Sequence, residues 1–127
     1  MHQWMLMVGG FFALTSVLLG AFAAHGLKSR LDEYSIGIFQ TASQYQMAHG
    51  IALIFCGLLA FQLKQSQIDT IWIKVAAIFF TLGILFFSGS LYGLALTANK
   101  WLGPVTPIGG LFFILGWVSF IMAASKS

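Results

Sequence analysis

The sequence predicts an all-α membrane fold: a bundle of four transmembrane helices with a short amphipathic interfacial helix between spans one and two. Three observations predict it. Of the 127 residues, 59% are hydrophobic, 16% aromatic and only 7% charged, whereas a soluble domain carries about 25% charged residues. A small soluble domain buries only about two-thirds of its surface and has nowhere to hide so much Phe, Leu and Ile. The few ions are also confined to short stretches, leaving Met1–Leu27, Tyr34–Leu63, Val75–Asn99 and Trp101–Ser125 free of charged side chains.

Crossing a hydrocarbon core of about 30 Å takes roughly 20 helical residues. In lipid the backbone must satisfy its own hydrogen bonds, which makes each such run a helix. The runs are too long for membrane strands and show no alternation. The spans are placed near Trp4–Ala24, Ala42–Leu63, Trp72–Leu96 and Pro107–Ala124, in a single membrane domain over residues 1–127 with no room for a soluble catalytic lobe. The first span imitates a signal peptide at Ala21-Phe22-Ala23. Its start, Met1-His2-Gln3, lacks Lys or Arg and its apolar stretch is too long, so it reads as a retained span.

Trp4 and Trp72 mark one membrane face, face A, with both termini and the second loop. Tyr34 and Trp101 mark face B, with the first and third loops. Face A carries Lys64, Lys74 and Lys126 and face B carries Lys28, Arg30 and Lys100, a tie under the positive-inside rule; the terminal amine tips the expectation toward a cytoplasmic face A. In the first loop, Ser29 and Asp32 resemble a capping box that opens a helix at Leu31. Continuous helix from there to Leu63 would be about 50 Å long, beyond the bilayer. A short amphipathic helix with Leu31, Tyr34 and Ile38 on its apolar side is therefore expected, bending near Gly37 to Thr41. In the third loop Gly103-Pro104 makes a turn, and Thr106-Pro107 reads as N-cap and first residue of the last span.

Polar residues inside spans cost free energy, so their positions carry information. Thr41, Tyr45 and His49 share one face of the second span at i, i+4, i+8, with Gln40, Gln44 and Gln46 beside them. Ser88, Ser90 and Tyr92 lie near the C-terminal end of the third span, His25 closes the first and Thr106 opens the fourth. Alternating spans place all of them in the face B half of the bundle. They predict either hydrogen bonds that fix helix packing, at roughly 0.6 kcal/mol each, or a polar pocket open toward face B, with His49 the deepest and best functional candidate. Small residues at four-residue spacing predict close helix approach: Ser16, Gly20 and Ala24 on the first span, Gly89 and Gly93 on the third, Gly109 and Gly110 on the fourth.

No cofactor or metal is expected. His25 and His49 differ in depth by roughly 10 Å at 1.5 Å per residue, a poor match for two haem ligands, and no carboxylate or Cys lies near His49. The single cysteine, Cys56, excludes an internal disulfide, a multi-cysteine zinc site and an iron–sulfur cluster held by this chain alone. It reads as a small buried hydrophobe. A net charge of +3 from six Lys/Arg and three Asp/Glu is too thin for nucleic acid.

The runs Leu19-Gly20-Ala21-Phe22-Ala23-Ala24-His25-Gly26-Leu27, Thr41 to His49 (TASQYQMAH), Leu85 to Tyr92 (LFFSGSLY) and Thr106 to Gly110 (TPIGG) together resemble the YgdD-like small inner-membrane proteins, an uncharacterised bacterial four-helix family. The likeness spans nearly the whole chain, although the AFAAHG stretch is less glycine-rich than the family's. The resemblance implies a four-span bacterial inner-membrane protein and no particular reaction.

Three functions compete. The expectation is a structural or accessory membrane protein that meets lipids and either forms a homo-oligomer or joins a larger complex. The alternative is a binding or transport protein whose face B pocket takes a lipid headgroup, quinone or small amphiphile. Its weakness is the lack of any intramembrane Asp, Glu, Lys or Arg to couple ions. An enzyme has least support: Ser88 and His49 are in reach of one another, but no carboxylate orients the imidazole.

Overall fold

A computed structural model describes residues 2–127. Four helical segments are long and apolar enough to cross a membrane: Gln3–Leu27, Glu33–Gln65, Ile71–Thr97 and Lys100–Ala124. Helix α1 (Gln3–Phe22) runs into a π-helical turn at Ala23–Leu27; α2 (Glu33–Gln65) is unbroken. The third span consists of α3 (Ile71–Gly83), a π turn at Ile84–Ser88 and α4 (Gly89–Thr97). A 3₁₀ turn at Lys100–Leu102 leads to α5 (Val105–Ala124).

All four segments are longer than the predicted spans. The largest difference is in α2. Its 33 residues form one helix of about 50 Å, without the separate interfacial helix or the bend expected near Gly37. A helix longer than the bilayer is accommodated by tilting or by projecting, so excess length need not produce a kink. Gly37 has open space around it and nothing there breaks the backbone ladder. Leu31 and Ile38 do turn inward against Ala23, Leu27, Phe39 and Ala95, whereas Tyr34 is 72% exposed.

The helix starts also differ from expectation. Asp32, not Ser29, caps α2: its carboxylate accepts the Ser35 N–H at 2.8 Å, and that bond holds the carboxyl below its ordinary pKa. Helix α5 opens at Val105 after Pro104, so Thr106 lies within the first turn and its hydroxyl is turned onto a neighbouring helix. Two non-glycine residues take the left-handed conformation, Gln67 (φ 59°) and Ala98 (φ 56°). At Gln67 the bonds Ile68 N–H to Leu63 O (2.8 Å) and Gln67 N–H to Lys64 O (3.0 Å) close α2 in a Schellman motif.

Helix α2 is central. It packs on α1 along one side and on α3, α4 and the second π turn along the other, while α5 packs mainly on α3 and that π turn. Lipid gives helices no hydrophobic reason to associate, so close approach through small residues supplies the contact. At the α1–α2 crossing a Cβ on Gly9 would lie 2.6 Å from Gly50 O. A Cβ on Gly109 would collide with the backbone of Phe87, and one on Gly116 would meet the Phe80 ring at 2.7 Å. The face A half of the interior is apolar, built from Met5, Leu53, Cys56, Leu63, Ile73 and Phe80.

Candidate functional site

Six polar side chains, Gln46, Tyr92, Ser88, Ser90, Thr106 and His49, enter three hydrogen-bonded sets that join neighbouring helices. In the first, Gln46 of α2 is 4% exposed and serves as a hub. Its Nε2 donates to Phe12 O at 2.9 Å and to Thr15 Oγ1 at 2.6 Å on α1. Its Oε1 accepts the Tyr92 hydroxyl of α4 at 2.6 Å. One amide thus ties three helices together, using donor and acceptor at once.

The second set surrounds the third span. Ser88, fully buried in the π turn, donates to Ala42 O of α2 at 2.8 Å. Two residues on, the Ser90 hydroxyl donates to Phe87 O at 2.9 Å and accepts from the Thr106 hydroxyl of α5 at 2.6 Å. Ser88 and Ser90 therefore point to opposite neighbours, α2 and α5.

His49 forms the third. Indole Nε1–H of Trp117 donates to its Nε2 at 3.1 Å, and its Nδ1 lies 2.8 Å from Tyr45 O. Indole is only a donor and a carbonyl only an acceptor, so the imidazole is the neutral Nδ1–H tautomer with both nitrogens satisfied. The ring stacks on Phe113 with centroids 3.7 Å apart and planes 11° apart, and Phe80 and Trp117 close around it.

Not every expected residue joins. His25 and Gln44 are exposed. Thr41 bonds back to Gly37 O in its own helix at 3.0 Å. Tyr45 is 44% exposed and lies against Phe87, with centroids 4.6 Å apart. Clefts at face B are lined by other residues: Tyr34, Ile38, Leu94 and Lys100 in one, Lys28, Glu33 and Gln40 in another. Ser88 and His49 hold different partners and do not form a nucleophile–base pair. Among the described residues no group of three or more His, Cys, Asp or Glu could hold a metal ion.

Of the small residues, Ser16 is buried, Gly20 faces Ser43, Gly93 meets Leu102, and Gly109 and Gly110 meet Phe87. Ala24 is exposed and its neighbour Ala23 is the buried one; Gly89 has nothing within 4 Å of an added Cβ. Thr15 and Trp117 were absent from the expected constellation, and Gln46 stood in it only as one of several polar residues that open the second span. Gln46 has a signal: with Ser43, Gly50, Leu53 and Gly57 it continues an i, i+3, i+7 series of buried positions. Trp117 has another, since it lies mid-span, away from the interfacial belt that usually holds Trp.

Comparison with known proteins places this arrangement in a family. Residues 19–110 match the model described as "Protein of unknown function (DUF423)", a region that contains all four motifs quoted above. A UPF0382 membrane protein of Staphylococcus aureus (strain bovine RF122 / ET3-1) is 40% identical over 121 residues, covering 95% of this chain and 94% of the relative. The UPF0382 membrane protein YwdK of Bacillus subtilis is 38% identical over 123 residues, covering 95% of each. One from Haemophilus influenzae is 39% identical over 120 residues, covering 94% of this chain and 90% of the relative. No solved structure matches. The chain belongs to the DUF423 family and is an integral membrane protein.

Proposed function

We propose that this DUF423 member is a structural or accessory protein of the bacterial inner (cytoplasmic) membrane, with both termini cytoplasmic, that self-associates or joins a larger membrane complex and has no enzymatic activity of its own. The observation that carries this reading is the division of the small residues. Gly93, Gly109 and Gly110 are used up inside the chain, but Gly89 and Ala24 face outward with no helix on them. Outward small residues are where a second membrane helix approaches closely.

The closed polar sets support the same reading. A transport path or a headgroup pocket in this half of the bundle would need free donors and acceptors. Gln46, Ser88, Ser90, Tyr92 and Thr106 instead spend theirs on neighbouring helices, and both His49 nitrogens are engaged. Binding or transport through that pocket is therefore the lesser reading.

Native mass spectrometry after mild solubilisation from the protein's own membranes tests the proposal. A homo-oligomer or a partner at fixed stoichiometry is expected, and Gly89→Leu should weaken it. A lone monomer, confirmed by crosslinking in native lipid, sinks it.

A further inference from the structure

At face A the beginning of α1 and the end of α2 enclose a cleft of about 250 Å³ lined by His2, Gln3, Leu6, Phe61, Lys64 and Gln65, with Gly57 at its base. Its chemistry is one-sided. Lys64 and the His2 imidazole face it from the two helices, and the lining contains no carboxylate. The loop acid that follows α2, Asp69, is not among the lining residues and accepts the Ile71 N–H at 3.0 Å. His2 Nε2 is the one buried side-chain nitrogen or oxygen among the described residues that has no hydrogen-bond partner, and such atoms are rare in folded proteins. No side chain caps the positive end of α1 here. The floor is apolar and open to the lipid side, since Phe61 is 64% exposed.

We propose that this cleft binds the headgroup of an anionic phospholipid, with a phosphate oxygen accepting from His2 Nε2 and pairing with Lys64, and the upper acyl chain lying along Leu6 and Phe61. The site lies at the opposite end of the bundle from the polar sets and goes beyond the proposed accessory role. The surroundings of His2 are consistent with it: partial burial, then Lys74 and, more weakly, Lys64 hold the imidazole below its ordinary pKa, the setting a bound anion would relieve. Cationic clusters at headgroup depth attract anionic lipid, and a cation there contributes about fivefold in binding.

The test is lipid retention by the full chain in nanodiscs made with phosphatidylglycerol or phosphatidylcholine of identical acyl chains, read by native mass spectrometry. Phosphatidylglycerol should be retained preferentially. Lys64→Gln should lower that retention about fivefold and His2→Ala, which removes a hydrogen-bond donor, about threefold or more, with Lys64→Arg and the cleft-remote Lys126→Gln leaving it unchanged. Thermal unfolding of each variant separates loss of the site from loss of the fold. Equal retention of the two lipids, or a Lys64→Gln/His2→Ala double variant that folds and retains phosphatidylglycerol like wild type, overturns the proposal. Displacement of the lipid by millimolar glycerol 3-phosphate also overturns it, by assigning the cleft to a soluble phosphate.

Discussion

Trp117 donates its indole N–H to His49 Nε2 at 3.1 Å across the α2–α5 boundary. The bond links two helices whose backbones barely meet, because α5 rests chiefly on α3 and the second π turn. It also makes the most chemically suggestive residue of the sequence a neutral, fully bonded packing element. Replacing Trp117 with Phe keeps an aromatic ring but strands Nε2, and an orphaned buried acceptor costs about 1–3 kcal/mol. Trp117→Phe should therefore lower the thermal midpoint in detergent, and His49→Ala, which also removes the Phe113 stack, should lower it further. A Trp117→Phe midpoint equal to wild type would show the bond to be incidental.

The Gln46 hub gives a second expectation, because an amide donates to α1 and accepts from α4 at once. Gln46→Glu keeps the acceptor for Tyr92 but turns oxygens toward Phe12 O and Thr15. A double-mutant cycle of Gln46→Leu, which removes that acceptor, with Tyr92→Phe should give a coupling near the membrane average of about 0.6 kcal/mol. Gln46→Glu alone should cost more than Tyr92→Phe alone. A Gln46→Glu cost near zero would mean that the α1 contacts contribute nothing.

Gly9 sets the distance between α1 and α2. Its replacement by Val puts a branched side chain where Gly50 O already lies 2.6 Å from a built Cβ. Backbone cannot step aside as a side-chain tip does, so the helices must separate, at about 1–3 kcal/mol or more. Gly10→Val, one position on and facing open space, is the matched control. Unfolding midpoints for the pair should differ clearly.

Gln67 and Ala98 adopt φ of 59° and 56°, a conformation costing an L-residue about 1–2 kcal/mol. Glycine removes that strain but gives back part of the gain through the freer unfolded chain. Gln67→Gly and Ala98→Gly should each stabilise the protein by up to about 1 kcal/mol, measured as a rise in thermal midpoint. A fall at both positions would contradict the left-handed caps.

Asp32 predicts a pH response of the first loop. Its carboxyl is held below the ordinary value by the Ser35 N–H, so the cap contributes above the unfolded carboxylate pKa of about 3.9 and is lost as pH falls through the lower folded value. Amide exchange at Ser35 should accelerate over that acid range. Asparagine caps as well as aspartate but does not titrate, so Asp32→Asn should abolish the response.

Much of the fold was legible because ions are expensive in lipid: the gaps between charges delimit four spans, and the structure lengthens them without adding or removing one. The polar residues were legible as a population in one half of the bundle but not as partners. Gln44 and Gln46 are both glutamines near one helix end. Two residues apart on a helix they face different directions, and only packing puts one in solvent or lipid and the other among three helices. The π turns were invisible, since no residue type marks them. The expected bend in α2 failed for another reason: bilayer thickness limits the buried part of a helix, not its length.

The one-sided packing of α1 bears on how the protein is made. Nearly all its buried surface is supplied by α2, the next segment to leave the ribosome. At roughly 5–20 residues per second, the interval between the two is a matter of seconds. The Gly9–Gly50 crossing can thus form in the bilayer before α3 exists. Tyr92 arrives last to the Gln46 amide, so that hydrogen bond reports completion of the bundle, and a chain stalled after Gln65 would hold a paired hairpin with one unclaimed carbonyl.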